Sequence, residues 1–176
     1  MVIDLDFPAP IAKTQCQSPS CFGRAHLAEA RQVHRKSPVQ SINLTTPTEA
    51  ANKTLVLEAF DTLFNQRDYA AAERFWSPDY LQHSAHIAPG RDGLFNLIKT
   101  LPPTLRYEPG VIVADGDYVI VHGRFSGHGR PAAWIAADIL RIADGVLAEH
   151  WDVLQDEATE ADSQSGLPMF GNSFPR

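Results

Sequence analysis

The 176-residue chain has only two cysteines and two methionines, and no long apolar run. Both cysteines, Cys16 and Cys21, lie in the N-terminal stretch. A C-x4-C pair with no further Cys and no clustered His is neither a zinc signature nor a disulfide framework, so no metal site is expected there. No window approaches the ~18 to 20 apolar residues that a membrane-spanning helix needs. The opening MVIDLDFPAPIAK carries Asp4 and Asp6 and no basic region, unlike a secretory signal, and a cytoplasmic protein is expected. Also missing are G-x-S-x-G, a Walker loop, a dinucleotide fingerprint and H-E-x-x-H, which leaves those chemistries without support. Basic charge is scarce where it would matter. Residues 1 to 48 hold five Lys/Arg against three Asp/Glu, and the remainder holds ten against eighteen, a body of net charge −8. With no basic stripe, neither nucleic acid nor a polyanionic substrate is an expected partner.

The sequence is 44% hydrophobic and 20% charged, enough apolar material for one domain with a real core. Residues 1–47 are punctuated by Pro8, Pro10, Pro19, Pro38 and Pro47 and read as a loosely ordered extension, with one short helical candidate over 25–36. Thr46 and Glu49 form a capping box with Pro47 at the first helical position. Behind it Leu55, Ala59 and Leu63, with Val56, Phe60 and Phe64, recur at helical spacing through Gln66. Asp68 caps a second short helix, Ser77-Pro78-Asp79-Tyr80 reads as a turn, and a third helix follows the Pro89-Gly90 break. Beyond Pro102-Pro103 the pattern changes to strands joined at Asp115-Gly116-Asp117, at His128-Gly129-Arg130-Pro131 and at Asp144-Gly145. Helices followed by an antiparallel meander imply an α+β fold. The ordered domain is expected over 48–156. The acidic, then Gly/Ser/Pro-rich tail 157–176 is either disordered or docked on a partner surface through Leu167, Met169, Phe170 and Phe174.

The hairpin ADILRIADGVLAEHWDVLQ, residues 137–155, carries five ionisable groups on its arms: Asp138, Arg141, Glu149, His150 and Asp152. Strand side chains alternate faces, so the register decides which of them meet. Closing the hairpin through a three-residue loop pairs Ile142 with Val146 and Asp138 with His150. Asp138, His150 and Asp152 then share a face with Trp134, Leu140 and Leu154. A strict two-residue turn instead sets Asp138 beside Trp151 and sends His150 to the other side. The first register is favoured because a type I turn with a Gly bulge tolerates Ala143. On the preceding strand, Val119, Val121 and Phe125 form the natural packing face. The mixed face of Tyr118, Ile120, His122 and Arg124 is the candidate cavity wall. An aspartate and imidazoles on a half-apolar wall have their proton affinities pushed toward neutral pH, where proton transfer works best. His83 and His86 sit at i, i+3 without a third ligand at convincing spacing, which argues against a metal.

Together, Tyr80-Leu-Gln82-His83, Gly90-Arg91-Asp92-Gly93, His122-Gly-Arg124, Asp138-Ile-Leu-Arg141-Ile-Ala-Asp-Gly145 and Glu149-His150-Trp151-Asp152-Val153 resemble the SnoaL-like polyketide cyclases, within the nuclear transport factor 2-like, ketosteroid-isomerase-like fold. The match covers about residues 49–155, and Ser84-Ala85 replaces the usual Asn-Pro after the histidine. The resemblance implies N-terminal helices packed on a curved antiparallel sheet, a cone with an apolar pocket, and often a homodimer formed through the sheet. It implies acid/base chemistry on a small apolar carbonyl compound, of aldol cyclisation or isomerisation type, without metal or organic cofactor. Asp138 would be the acid/base and His122 its partner, with His83, His150 or Tyr80 as hydrogen-bond donors. Tyr80, Trp134, Arg124, Trp151 and Asp152 complete the expected substrate-binding set. Two alternatives stay open in the same pocket: epoxide opening by water with Asp138, Arg124 and Asp152, and a non-catalytic, ligand-binding dimeric module. A third, a protein-interaction domain that uses the extension and tail, also stands.

Overall fold

A computed structural model describes residues 47–174; the expected cap at Thr46, both cysteines and the expected extension lie outside them. Helix α1 (Pro47–Phe60) widens into a π-helical turn over Asp61–Gln66. Of the spaced set, Val56, Ala59, Phe60, Leu63 and Phe64 are buried, and Leu55 is half-buried at the edge of the core. The turn ends at Arg67 in the left-handed region, φ 57°. From there the guanidinium donates to three carbonyls at the end of the third helix: Ile98 at 2.8 Å, and Leu101 and Pro102 at 3.2 Å. A helix C-terminus leaves its last carbonyls without partners, and Arg67 supplies them. Asp68 accepts from the Ala71 N–H at 3.0 Å and so caps the short helix α2 (Tyr69–Ala72), as the sequence implied.

Strand β1 (Trp76–Gln82) follows at once, although Ser77-Pro78-Asp79-Tyr80 had the composition of a turn. Pro78 is exposed on an edge strand, where its missing N–H costs no ladder bond. Helix α3 (Gly90–Thr100) buries Leu94, Phe95 and Ile98. The meander is β2 (Arg106–Asp115), β3 (Tyr118–Ser126), β4 (Trp134–Ala143) and β5 (Val146–Asp156). The sheet order is β1-β5-β4-β3-β2, antiparallel except that β1 runs parallel to β5. The fold is α+β as expected, with one parallel edge strand added.

The β4–β5 turn differs from the favoured register. Ala143 pairs with Val146, so the turn has two residues, and both Asp144 (φ 51°) and Gly145 (φ 75°) take the positive φ of a type I′ turn. A bulge between Arg141 and Ile142 of β4 and their β5 partners then restores the parity that a strict two-residue turn would have reversed. Asp138 consequently opposes Asp152, and Leu140 opposes His150.

The helices cover the sheet face that carries Val119, Val121, Leu140 and Leu147, all fully buried. Asn65 ties α1 to β2, accepting from the Tyr107 N–H at 2.8 Å and donating to its carbonyl at 3.1 Å. Gly123 makes room for the Tyr107 ring; a Cβ there would lie 2.5 Å from it. The opposite face is crossed at one end by the segment after β5. Glu157 is buried against Arg124, Phe170 lies 5.6 Å from His122 between ring centres, and the Ala158 N–H reaches the Met169 sulfur. This tail is docked on its own sheet and not, as the sequence suggested, on a partner surface. No helix among the described residues is long and apolar enough to cross a membrane.

Candidate functional site

Between the helices and the covered sheet face lies a cavity of about 690 Å³. Its walls are apolar: Phe60 and Phe64 from α1, Leu94, Leu97 and Ile98 from α3, and Leu105 and Phe125 beside them. Its polar groups come chiefly from β4 and β5, where alternation aims Trp134, Asp138, His150, Asp152 and Leu154 inward. Tyr80 of β1 joins them. The exposed rim is made by Gln155 and by Arg130 and Asp156, which meet at 3.4 Å.

Asp138 is only 3% exposed. Its Oδ1 lies 3.0 Å from His150 Nε2, while its Oδ2 is buried without a hydrogen-bond partner. Burial pushes the Asp138 carboxyl upward; the His150 contact opposes that, and the Asp152 charge across the ladder adds to it. A raised carboxyl in an apolar cavity is the usual preparation of a general acid or base. Burial likewise pushes the Tyr80 phenol well above its ordinary range, which keeps it a neutral hydrogen-bond donor. On its other side, His150 Nδ1 lies 2.9 Å from Gln82 Oε1. Asp138, His150 and Asp152 each offer one ligand-type atom within 4.8 Å of the others, so this is the one group among the described residues with the donors to hold a cation.

Four expected site residues lie elsewhere. His122 pairs with Ala137, on the face away from Asp138, and packs on Phe170. It therefore cannot partner Asp138; His150 is the imidazole that does. Arg124 is on the same outer face, held by Glu108 at 2.8 Å and Glu157 at 2.9 Å, so the Asp138–Arg124–Asp152 trio of the epoxide alternative does not assemble. His83 stacks flat on Trp151 at 4.8 Å and pairs with Glu149, which Arg141 also holds. His83 and Trp151 thus form an outer-surface cluster. The expected cavity wall, the mixed face of β3, is the outer face: α1 packs on the all-apolar one, and the cavity lies there.

Gln82 was not singled out as a site residue. Its signal was the alternation Tyr80, Gln82 within β1, hidden while Ser77-Pro78 read as a turn. Arg130 at the rim, and the Phe60 and Leu94 walls, were legible only as loop and core.

A family model described as a SnoaL-like domain matches residues 56–150. No curated protein matches the sequence. Among solved structures, AclR from Streptomyces galilaeus, described as a candidate hydroxylase, is 27% identical with a TM-score of 0.50, covering 61% of this chain and 90% of that one. A candidate ketosteroid isomerase from Kribbella flavida DSM 17836 is 16% identical with a TM-score of 0.56, covering 72% and 97%. A candidate SnoaL-like polyketide cyclase from Jannaschia sp. CCS1 is 19% identical with a TM-score of 0.54, covering 62% and 89%. The last two likenesses concern the fold alone.

Proposed function

The chain belongs to the SnoaL-like domain family, and from that premise we propose that residues 48–156 form a cofactor-independent acid/base enzyme acting on a small apolar carbonyl compound. The observation that carries this reading is the state of Asp138: buried, bonded to His150 through one oxygen, and bare on the other beside an apolar cavity. A carbon acid next to a carbonyl gives its proton to the free Asp138 oxygen. The enolate oxygen that develops takes a hydrogen bond from a neutral donor, for which Tyr80 is suited. His150 holds the carboxylate in place and carries the compensating proton. Trp134 and the phenylalanines supply a flat apolar wall. The same proton transfer serves an aldol ring closure or a double-bond shift, according to what the substrate presents to the enolate. Two copies associate through the outer sheet face, where Val113, Ile120, Ile139 and Trp151 lie side by side across four strands.

The test does not require the natural substrate. Incubated in D2O with a panel of apolar ketones and β-diketones, the protein should introduce deuterium at the α-carbon of at least one of them, read by mass spectrometry. Asp138→Asn should reduce that rate by 10²-fold or more, the scale of general-base catalysis. Equal exchange by the two proteins would remove the reading.

A further inference from the structure

We propose that Gln82 is a positioning residue that locks His150 as its Nδ1–H tautomer, so that a single mobile proton is held between His150 Nε2 and Asp138 Oδ1. This rests on the acid/base reading above and adds to it the device that sets the protonation of the pair.

Gln82 Oε1 accepts from two sides: from the Ser84 backbone N–H at 2.9 Å and from His150 Nδ1 at 2.9 Å. A backbone N–H can only donate, so the Gln82 atom facing it is the oxygen. Rotating the amide would set two N–H groups against each other. His150 Nδ1 must therefore bring the hydrogen, and the neutral ring has a bare lone pair at Nε2. That lone pair points at Asp138 Oδ1, 3.0 Å away. Two acceptors cannot face each other at that distance without a hydrogen between them. The pair therefore holds one proton, as carboxylic acid with imidazole or as carboxylate with imidazolium.

Other charged or titratable groups face the pair from neighbouring elements. They are Asp152 on β5, Tyr80 on β1, Tyr107 on β2, His86 in the loop after β1 and, farther off at the cavity rim, the paired Arg130 and Asp156; the α3 side chains on the cavity wall are all apolar. Among the described residues none of them bonds His150 Nδ1, and Gln82 is its partner. The consequence has a definite sign. Were Nδ1 released, the neutral ring could move its hydrogen to Nε2 and donate to an ionised Asp138, which would stabilise the deprotonated pair. Gln82 blocks that escape and keeps the proton on the pair to higher pH, while Asp138 Oδ2 keeps no hydrogen-bond partner of its own.

Long-range ¹H–¹⁵N correlation of the histidine rings reads tautomers directly in the free protein, with His150 assigned by His150→Gln. In the wild type, His150 should show a protonated Nδ1 at every pH at which the protein is folded. In Gln82→Leu the neutral ring should appear as Nε2–H, and the pair should lose its proton at lower pH. Gln82→Glu, which keeps the acceptor and adds a negative charge, should retain Nδ1–H and move the loss to higher pH; it also guards against an unfolded leucine variant. A wild-type neutral ring protonated at Nε2 and bare at Nδ1, or a titration midpoint of the pair unmoved in both variants, would overturn the assignment. Because no substrate is used, that failure is separate from failure of the deuteration test, which concerns Asp138 as base.

Discussion

Asp138 and Asp152 stand directly opposite each other across the β4–β5 ladder, two carboxylates on an inward face whose nearest imidazole, His150, already serves one of them. Such a pair weakens the fold at neutral pH. Asp138 is held above its ordinary value, so the folded state prefers it protonated. The contribution to stability is full below the unfolded carboxyl value of about 3.9 and is lost as pH rises through the folded value. Asp138→Asn can still donate to the His150 Nε2 lone pair and carries no charge to bury. It should melt no lower than the wild type at pH 5 and higher at pH 8, by roughly 1 kcal/mol, the common size of a stabilising change at a functional site. Thermal unfolding at the two pH values checks it, and a lower melting point at pH 8 speaks against a strained Asp138.

Arg124 should matter to the tail and not to the chemistry. Its Nε meets Glu157, whose side chain is 4% exposed, and its Nη1 meets Glu108, half exposed. Arg124→Leu leaves the buried Glu157 carboxylate without its partner, at a cost of about 1 to 3 kcal/mol. The segment from 157 onward should then be cut by protease faster than the wild type, with α-deuteration intact. Loss of exchange in a folded variant would reinstate Arg124 as a site residue.

How legible these arrangements were depended on whether one strand or two layers decided them. The inward set Asp138, His150 and Asp152 follows from alternation within a single hairpin, and it survived a wrong turn because the bulge returned the missing step. The place of His122 could not be settled that way. Val119, Val121 and Phe125 on one side of β3, and Tyr118 and Ile120 on the other, are both apolar enough to pack; only the approach of α1 decides. Ile120 stays 42% exposed while Val121 is fully buried. β1 was hidden by local composition: Pro78 argues for a turn unless the strand is known to lie at an edge. Gln82 was lost with it.

His128 predicts an acid-sensitive rim. Its ring is buried and stacked on Trp134, centres 3.9 Å apart and planes 13° from parallel. Burial first, and the charge of Arg130 second, lower its affinity for a proton. The folded state thus prefers the neutral ring. No difference arises above the ordinary imidazole value of about 6.5, and stability falls as pH drops below it, because the unfolded chain takes the proton first. His128→Phe keeps the stack and removes the titration. The wild type should lose melting temperature relative to this variant between pH 7 and pH 5; parallel curves would contradict the sign.

The outer sheet face gives the last prediction. Val113 pairs with Ile120, Ile120 with Ile139, and Ile139 with Trp151, so four large apolar side chains form one transverse row. Val113 and Ile120 are 51% and 42% exposed, and Val153 beside the row is 69% exposed. The tail covers the end of this face at His122 and Arg124 and leaves the row open. Contiguous apolar surface framed by charged groups, here Arg141 and Glu149, is the composition of an interface core with a polar rim. Ile120→Lys sets a charge in the middle of the row. A symmetric dimer meets each substituted patch with its own copy, so the charge enters twice and like faces like. Light scattering should therefore find a wild-type dimer and a monomeric variant at the same micromolar concentration. Monomer stability should change by no more than about 0.5 kcal/mol, since Ile120 lies outside the core. A monomeric wild type would remove the dimer, and a variant that stays dimeric would move the association to another surface; a variant that unfolds would mean that Ile120 supports the sheet itself, and Val113→Lys, at the more exposed end of the row, then decides between the two.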